Sequence, residues 1–582
     1  MAARECSAAM AANTGESLDI NGFSASIKLV PRSRALREQI REQAEIAATQ
    51  FDASRQFDKA DLEGAASAVL AELGQPEAFL GWTMVMLASA VWREQVMAAE
   101  FDRRLLLLPG AIAMSSEYAV RAKHLGYRIL PIEETQAVLE SLVGGEVDAI
   151  VGLASLDVLE KAIDHTLWFG LPCIGLPLLE ETFDRREDGV IANSSTDAFD
   201  SDWLREMIEL PHVAANRAPP SYIHLLRTAN GIFEPDELDR LAPRKHATVD
   251  FAALIGDAAS LIDPIAGTEA IGYDVLARGG KHSRPFIVLA VYDAMTGGHG
   301  SRAGAHRHLA SLPDAIKRAS LSIETFHKAS LVHDDIEDDD PYRYGEPTIH
   351  RRFGVPVAIN VGDYLIGLGY SVVSRETRTL GADVVGDIIN RLSEAHLRLA
   401  EGQGAELLWR DSRDKRLSTQ DALRIYELKT APAFEAALLT GLRLAGPIDD
   451  YLEPIGRFAR ALGTAFQIVN DLGDWQPQSH NKRIAGGDII GGRPTLLWAL
   501  ALEALKGKAR KELEALVADG PTGEDSVRRI RELYLEAKVF DKAGELIEQC
   551  EVSAREVADT LKPLELRRLL LNLIAIVLKR PV

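Results

Sequence analysis

A dense cluster of carboxylates lies between His333 and Asp340, where the sequence reads HDDIEDDD. Asp334 and Asp338 are four residues apart, so on a helix they lie on one face, with Asp335 beside them. Carboxylates stacked in this way repel each other, and a bound cation relieves that repulsion. Crowded carboxylate oxygens suit Mg²⁺, which proteins hold with a few carboxylates and the phosphates of a substrate. The spacing therefore predicts a metal site, although a solvated acidic helix end has the same composition.

A second acidic cluster lies in the segment from Phe466 to Asp474. Asp471 and Asp474 are three residues apart and Asn470 precedes Asp474 by four, so on a helix these side chains share a face. As in the first cluster, an apolar run precedes the acidic residues. Two such faces in one helical chain predict a diphosphate that is clamped between them by several Mg²⁺ ions.

The sequence around these clusters resembles the trans-isoprenyl diphosphate synthase family, also called the polyprenyl synthetase family. The resemblance spans residues 251–580 and rests on several motifs in order. They are GGKHSRP at 279–285, the segments 324–338 and 345–363, the pair Lys429-Thr430, and the segments 466–474 and 486–496. The resemblance implies an all-α isoprenoid synthase fold, a Mg²⁺-dependent prenyltransferase activity and a homodimer.

The resemblance also implies which residues hold the metal ions and carry catalysis. At position 470 the family usually has Asp, whereas this chain has Asn470. The amide of Asn470 brings no charge, so we expect weaker binding of the Mg²⁺ ion that this residue would help to hold. In the family chemistry, metal ions and fixed cations neutralise the diphosphate leaving group while a carbocation forms. Two ions would be held by Asp334, Asp335 and Asp338, and a third by Asn470, Asp471 and Asp474. The residues expected to carry catalysis are Asp334, Asp335, Asp338, Lys429 and Asp471.

The same motifs imply which side chains bind the two substrates, an allylic diphosphate and isopentenyl diphosphate. Tyr344 stands where the family has the second arginine of a pair, and it offers a hydrogen bond without a charge. We therefore expect this chain to bind isopentenyl diphosphate more weakly at the site that includes Tyr344. The residues implied for the allylic diphosphate are Arg343, Lys429, Thr430, Gln467, Arg483 and Arg493. Those implied for isopentenyl diphosphate are Lys281, Arg284, His327 and Tyr344.

The helix that carries the first cluster also predicts the length of the product. In the family that the motifs resemble, residues one and two turns before the first Asp line the floor of the cavity for the growing chain. Ala329 and Ser330 are small, and the first large apolar ring on that face is Phe326. One helical turn rises about 5.4 Å, close to the span of one isoprene unit. We therefore expect a floor at Phe326 and a product of twenty carbons or somewhat more.

The whole-chain composition is that of an ordinary globular protein, with 47% apolar and 26% charged residues among 582. The net charge of −21 offers no basic surface, so we expect no nucleic-acid partner. The three cysteines are far apart and fit a reducing compartment. We find no signal-peptide pattern and no uninterrupted apolar run of bilayer length, so we expect a cytoplasmic protein without a membrane span.

Length and pattern predict a multidomain chain. Short apolar runs alternate with helical stretches between residues 105 and 176, which predicts an α/β domain with a small parallel, Rossmann-like sheet. Residues 297–307, rich in Gly and His, are predicted to form a surface loop. The predicted divisions are a disordered N-terminus at 1–22, a helical segment plus α/β domain at 23–210, a linker region at 211–248 and an all-α isoprenyl diphosphate synthase domain at 249–582.

The α/β part weakly resembles a bacterial domain family of unknown function that often adjoins metabolic enzymes. The resemblance lies in the segments LLLLPG, LGYRI, VDAIVGLAS and GLPCIGLPLLEETFD. Members of that family typically carry clustered cysteines after the first strand, and the segment from Gly110 to Glu117 has none. We therefore predict a structural or docking role for this domain rather than a metal or redox role.

The sequence as a whole predicts a prenyltransferase that condenses an allylic diphosphate with isopentenyl diphosphate. Two other interpretations stay open. A terpene synthase on the same fold would ionise an allylic diphosphate without a second substrate, and Tyr344 and Asn470 point mildly that way. A non-catalytic partner subunit is the third interpretation, and the nearly full set of metal and diphosphate residues argues against it.

Overall fold

The computed structural model divides the chain into two compact units. The first unit contains the chain up to Arg227 together with His299–Ala310, and the second contains Thr228–Gly298 and Ser311–Val582. The predicted disordered segment 1–22 and the predicted ligand Arg483 lie outside the described residues. The structure describes residues 29–51, 59–113, 116–133, 146–169, 171–179, 198–213, 220–246, 264–302, 304–412, 414–475, 486–518 and 524–578.

A four-stranded parallel sheet forms the centre of the first unit. Its strands are β1 (Arg104–Leu108), β2 (Arg128–Pro131), β3 (Ala149–Ala154) and β4 (Cys173–Pro177), in the order β2-β1-β3-β4. Every neighbouring pair is parallel, with Leu105 opposite both Arg128 and Ile150. The strands β1, β3 and β4 are buried along their full length, as expected for continuous apolar runs in a parallel sheet. The small parallel sheet predicted from the alternating pattern is therefore present.

Helices surround this sheet. The apolar faces of the long helices and the strands share one core, which includes Trp82, Trp92, Leu106 and Val151. The helices are α1 (Arg34–Ala48), α2 (Lys59–Glu72), α3 (Leu80–Ala98), α4 (Gly110–Ala113), α5 (Glu117–Leu125), α6 (Leu156–Phe169) and α7 (Ser201–Ile208). Helix α5 has a well-defined start, because the Ser116 hydroxyl accepts a hydrogen bond from the backbone N–H of Ala119. It ends at Gly126, whose φ of 103° suits glycine.

The residues between 297 and 310 differ from the predicted surface loop. His299–Ala310 contains a short helix, which is α12 (Ala305–Ala310) in chain order, and it belongs to the first unit although the flanking residues belong to the second. The backbone N–H of Ser221 donates to the carbonyl oxygen of Ser301 at 2.9 Å, and Arg307 forms an ion pair with Glu100. Paired backbone and charged groups explain why this Gly-rich segment is anchored.

The second unit is helical, with one short hairpin made of β5 (Tyr342–Arg343) and β6 (Glu346–Pro347). Helix α13 packs against α15, α17 against α18, and α18 against α19. The helices before α12 are α8 (Ile223–Gly231), which begins in the first unit, α9 (Pro235–Leu241), α10 (Pro264–Ala277) and α11 (Ser283–Met295). Those that follow are α13 (Asp314–Glu337), α14 (Ile349–Phe353), α15 (Val355–Ser374), α16 (Thr377–Leu380), α17 (Ala382–Asp411), α18 (Thr419–Ala445), α19 (Leu452–Asp474), α20 (Gly487–Ile490), α21 (Leu496–Ala504), α22 (Gly507–Ala518), α23 (Glu524–Glu536), α24 (Val539–Thr560) and α25 (Leu564–Leu578).

The predicted linker region 211–248 also differs from the structure, because α8 and α9 lie inside it. Pro235 and the two acidic residues after it form the first turn of α9, where proline and negative charge are both favourable. Leu238 and Leu241 of that helix are buried. The Pro-rich composition before Tyr222 indicated a linker, but the apolar residues after it form helices with a buried face.

One helical stretch has the length and composition of a membrane span. Among the described residues, Val355–Leu380 alone is long and apolar enough to cross a membrane, and part of this stretch is buried inside the protein.

Candidate active site

The first acidic cluster lies at the C-terminal end of α13. Asp334 and Asp335 are in its last turn and Asp338 is the residue that ends it, while the last turn contains no basic residue. The C-terminus of a helix carries partial negative charge, so carboxylates at this end are unfavourable unless cations neutralise them. The local electrostatics therefore favour a cation at this position.

Arginines neutralise two of these carboxylates. Arg343 donates to Oδ1 of Asp335 from Nε at 2.8 Å. Asp338 accepts from Nη1 of Arg410 at 3.0 Å and from Nη2 of Arg493 at 3.0 Å. Arg343 and Arg493 were predicted from the sequence, whereas Arg410 was missed. Its position four residues after Glu406, on the same face of α17, was the signal that could have identified it.

Asp334 is the carboxylate of this cluster that remains open to a metal ion. Within the described part of the chain, no side chain donates a hydrogen bond to it. Burial raises its pKa to about 7, Lys429 lowers it, and the charges of Glu337 and Asp338 raise it further. No three His, Cys, Asp or Glu side chains among the described residues converge as a metal site, and arginines form ion pairs with Asp335 and Asp338. Asp334, which lies beside like charges without a hydrogen-bond donor in the described chain, fits a hard divalent cation as a single ligand.

The second acidic cluster ends α19, and its residues face different directions. Asn470 is exposed, whereas Asp471 is buried and accepts a hydrogen bond from the Tyr426 hydroxyl. That hydroxyl in turn accepts from the backbone N–H of Leu496 at 2.7 Å. Burial raises the pKa of Asp471 well above its usual value. The structure thus places Asp471, predicted as a metal ligand and catalytic residue, inside a hydrogen-bonded chain, and it exposes the uncharged Asn470.

Arg493 connects the two clusters. Its Nη2 donates to Asp338 of the first cluster, and its Nη1 donates to Asp488 at 3.2 Å. The backbone N–H of Asp488 then donates to Oδ2 of Asp474 at 3.1 Å. Asp488 was not singled out from the sequence, although it lies in the motif 486–496. The two acidic motifs, far apart in the chain, are thus joined through one guanidinium and one short helix, α20.

Lys429 and Thr430 lie on α18, opposite α17 and α19. Lys429 forms an ion pair with Glu406, and the Gln467 amide donates to the Thr430 hydroxyl. The close approach of α17 and α18 requires Gly402, because a Cβ there would lie 2.8 Å from the backbone carbon of Leu428. These predicted residues are therefore brought together by direct helix contacts. Glu406 is a further residue that the sequence analysis missed.

The residues predicted for isopentenyl diphosphate converge near the start of α11. Lys281 is exposed, Arg284 is half-buried, and both follow Gly279 and Gly280, whose φ values are 51° and 104°. His327 of α13 has a pKa lowered well below the usual value by burial and then by neighbouring cations. Neutral imidazole and two cations beside a glycine loop form an anion-binding environment.

A cavity of about 260 Å³ is lined by Asp334 and Glu337 of the first acidic cluster and by side chains of the surrounding helices. Phe326 and Ser330 line it, whereas Ala329 is 1% exposed and belongs to the packed face of α13. The predicted floor residue Phe326 contacts Tyr370, with ring centroids 4.6 Å apart. The other lining residues include Arg284, His327, Asp334, Ile366, Leu392, Leu399 and Lys429.

The fold and the site together define a class of enzyme, an all-α enzyme in which a carboxylate, cations and apolar side chains line one cavity. The polyprenyl synthetase family model matches residues 268–534. The chain is 35% identical over 266 residues to geranylgeranyl pyrophosphate synthase 7, chloroplastic, of Arabidopsis thaliana, covering 44% of this chain and 72% of that one. It is 30% identical to geranylgeranyl diphosphate synthase of Sulfolobus acidocaldarius, covering 41% of this chain and 68% of that one.

The fold is also similar to that of a solved synthase structure. A crystal structure of geranylgeranyl pyrophosphate synthase from Corynebacterium glutamicum, complexed with isoprenyl diphosphate and magnesium, superposes with a TM-score of 0.50 at 22% identity, covering 61% of this chain and 99% of that one. The chain belongs to the polyprenyl synthetase family. It is a trans-prenyltransferase, and the family resemblance stated from its motifs is confirmed.

Proposed function

We propose that this protein condenses an allylic diphosphate with isopentenyl diphosphate in a Mg²⁺-dependent reaction. The single observation that carries the proposal is that Asp334 of the first acidic motif lines a cavity together with Lys429 and apolar side chains, while Arg493 joins that motif to the second one. A diphosphate requires cations and metal-ready carboxylates, and a prenyl chain requires an apolar space. This site provides both next to each other.

The metal-binding carboxylates and the cationic side chains have separate roles in this reaction. The ions, of which we propose three, would be held by Asp334, Asp335 and Asp338 on one side and by Asn470, Asp471 and Asp474 on the other. They would supply Lewis-acid assistance to the departing diphosphate. Lys429 and the arginines Arg343, Arg410 and Arg493 stabilise the negative charge on that leaving group. Asp471 positions α21 through Tyr426 and Leu496.

The cavity supports a long product. The allylic chain lies along α13 with its diphosphate at Asp334, and its far end meets Phe326. The double bond of isopentenyl diphosphate attacks the allylic carbon, and the proton that is lost passes to the released diphosphate. Helical rise between Ser330 and Phe326 leaves room for one isoprene unit, about 5.4 Å per turn. We therefore propose a trans-polyprenyl diphosphate of twenty carbons or more.

A terpene synthase activity is the second candidate. The observation that favours it is the exposed, uncharged Asn470 at the position where the family has Asp. A weaker third metal site would reduce the assistance to the leaving group. The nearly complete set of cations on the isopentenyl side favours condensation, and it also argues against a non-catalytic partner subunit.

One incubation tests these functions. The full chain is incubated with radiolabelled isopentenyl diphosphate, a short allylic diphosphate and Mg²⁺. Labelled diphosphates of greater length support condensation, whereas an unlabelled hydrocarbon or alcohol identifies a terpene synthase. Absence of any turnover identifies the partner subunit. Replacing Mg²⁺ with EDTA provides the matched control.

The assembly and location complete the proposal. We propose a cytoplasmic homodimer that does not span a membrane and has no nucleic-acid partner, with the N-terminal unit as a Rossmann-like docking domain. Support for a dimer comes from the exposed apolar side chains Ile265, Val355 and Ile359 on α10 and α15. Light scattering coupled to size-exclusion chromatography would give twice the chain mass of 63.5 kDa for a dimer. Fractionation of cells would test the location.

A further inference from the structure

A buried lysine lies beside the residues predicted for isopentenyl diphosphate, and the sequence analysis gave it no role. Lys328, next to His327 on α13, is 1% exposed. Its ammonium donates to the carbonyl oxygen of Gly279 at 2.8 Å and to that of Arg278. Among the described residues, no carboxylate forms an ion pair with it. A buried ammonium is costly unless its charge is compensated, so its presence requires an explanation.

Tyr344 covers this ammonium. The Lys328 nitrogen lies 4.6 Å from the centroid of the Tyr344 ring, a cation–π contact. Tyr344 and Gly345, with φ values of 53° and 80°, form the turn between β5 and β6. A left-handed backbone is uncommon for an aromatic residue, and such residues gather at functional sites. The ring is therefore held over Lys328 by an unusual local conformation.

The Gly279-Gly280 loop completes the arrangement. A Cβ at Gly279 would lie 2.6 Å from Cγ of Tyr344, and a Cβ at Gly280 would lie 3.5 Å from the Tyr344 hydroxyl oxygen. At Gly279 only glycine leaves room for the phenol, whereas the 3.5 Å at Gly280 is an ordinary contact distance. The hydroxyl is thus placed over the loop that leads directly to Lys281.

The charges in this region do not cancel. Arg343 is occupied by Asp335, whereas Arg284 and Lys328 share one nearby acid, Glu324. Glu324 is 2% exposed, and its Oε2 has no hydrogen-bond partner within the described residues. The exposed Lys281 adds a further positive charge. A net positive charge beside a glycine loop favours binding of an anion.

We propose that Lys328 supplies the positive charge that Tyr344 lacks, and that the two residues together complete the isopentenyl diphosphate site. The Tyr344 hydroxyl donates a hydrogen bond to the diphosphate. Lys328 is a positioning residue. It holds the Gly279 carbonyl by a hydrogen bond, supports the Tyr344 ring and adds a positive electrostatic potential on the far side of that ring. The inference depends on the proposed function for the identity of the anion.

This proposal changes what an arginine at position 344 would do. From the sequence alone, Tyr344→Arg restores a missing charge and improves binding. In the structure, the new guanidinium would lie against the Lys328 ammonium, and like charges at this distance repel. The single substitution therefore brings no improvement, whereas the same arginine becomes favourable once Lys328 is replaced by methionine.

The test is the equilibrium Kd of radiolabelled isopentenyl diphosphate, measured by dialysis against the full chain with Mg²⁺ and without allylic substrate. We expect Lys328→Met to weaken binding about tenfold, the size of a lost charge-assisted interaction. We expect the double variant Lys328→Met/Tyr344→Arg to return to within about threefold of the wild-type Kd. Lys317→Met is the matched control, because Lys317 lies on the same helix and pairs with Glu237.

A loss of packing alone would give a different result. It would lower the thermal midpoint of Lys328→Met, would raise KM for both substrates and would not be rescued by an arginine at position 344. An unchanged Kd for Lys328→Met, a double variant as weak as the single one, or no binding by the wild-type chain overturns the proposal. The labelled incubation tests condensation separately, because dialysis requires no turnover.

Discussion

The ammonium of Lys328 lies 4.6 Å from the centre of the Tyr344 ring, so a residue of α13 and a residue of the hairpin turn act as a unit. Both depend on Gly279, where the backbone φ of 51° and the phenol exclude a side chain. The first prediction concerns this glycine.

Gly279→Ala is expected to displace the Tyr344 ring, because the new Cβ would lie 2.6 Å from Cγ of Tyr344. We expect KM for isopentenyl diphosphate to rise and the thermal midpoint to fall, with a backbone cost of about 1–2 kcal/mol. Steady-state kinetics and thermal melts measure both. Gly367→Ala is the control, because it lies within α15 with nothing within 4 Å and should be neutral or stabilising. Equal effects of the two changes would refute the role of Gly279.

Asp334→Ala is expected to reduce kcat to less than a tenth of the wild-type value, a loss above about 1.4 kcal/mol. It removes a carboxylate that we assign to the metal ions, and it leaves no large hole in the core. Asp339→Asn is the matched control, because Asp339 is exposed and asparagine tolerates its φ of 52°. Retention of more than a tenth of kcat in Asp334→Ala, at unchanged thermal midpoint, would show that the metal role is wrong.

Asn470→Asp is expected to lower the Mg²⁺ concentration that gives half-maximal activity. The side chain at position 470 is exposed, and a carboxylate there adds a charge to the second cluster. We expect a shift of about threefold or more, since affinity for divalent cations rises with the number of charged ligands. Asn470→Ala should shift the requirement in the opposite direction. If both variants titrate with Mg²⁺ as the wild type does, position 470 does not contribute to metal binding.

Phe326→Ala is expected to lengthen the product, and Ser330→Phe to shorten it, because both residues line the cavity. Ala329→Phe, which the sequence alone would also place at the floor, should instead destabilise the protein by about 1–3 kcal/mol through overpacking. Ala329 is 1% exposed and belongs to the packed face of α13. Chromatography of the dephosphorylated alcohols and thermal melts separate these effects. A shorter product from Ala329→Phe without loss of stability would contradict the assignment.

His282 is expected to make the protein less stable in acid. The ring stacks on Phe233 at 4.2 Å, and burial, with the nearby Lys328 charge, lowers its pKa to about 4. The unfolded value is about 6.5, so protons bind the unfolded chain more tightly, and stability is lost as the pH falls from about 6.5 to 4, by at most about 3 kcal/mol. In His282→Asn, the fall in thermal midpoint over this range should be smaller. An unchanged pH profile would show that the ring titrates normally.

Much of the architecture could be predicted from local patterns. The four strands follow apolar runs, and β1, β3 and β4 are buried along their length because both faces of the sheet are covered, whereas β2 at the edge of the sheet is partly exposed. The acidic motifs were recognisable because ligand sets require fixed spacings on a helix. The sequence could not tell which way each carboxylate points. Asp471 and Asn470 differ by one position, and a rotation of about 100° separates the interior from the solvent.

Other parts of the site depend on contacts between residues far apart in the chain. Lys328 lies four residues after Glu324 on α13 but forms no ion pair with it among the described residues, and its role emerges only when the turn at Tyr344 lies over it. Arg410 and Asp488 were missed because each is recognised only by the ion pair that it forms, Arg410 with Asp338 and Asp488 with Arg493. In the predicted linker region, burial of Leu238 and Leu241 accounts for a helix that the Pro-rich composition before Tyr222 does not indicate.

The position of helix α12 in the chain limits how the protein can be cut into separate parts. Its segment, His299–Ala310, lies in the chain between α11 and α13, yet its contacts belong to the N-terminal unit. The two units are therefore interlaced rather than consecutive, and no single peptide bond separates them. A deletion or exchange of the N-terminal residues would leave His299–Ala310 without the surface it covers, in a segment covalently joined to the helices that carry Arg284 and Asp334. A cut on either side of His299–Ala310 would therefore divide one of the two units, so a single truncation cannot separate the chain into them.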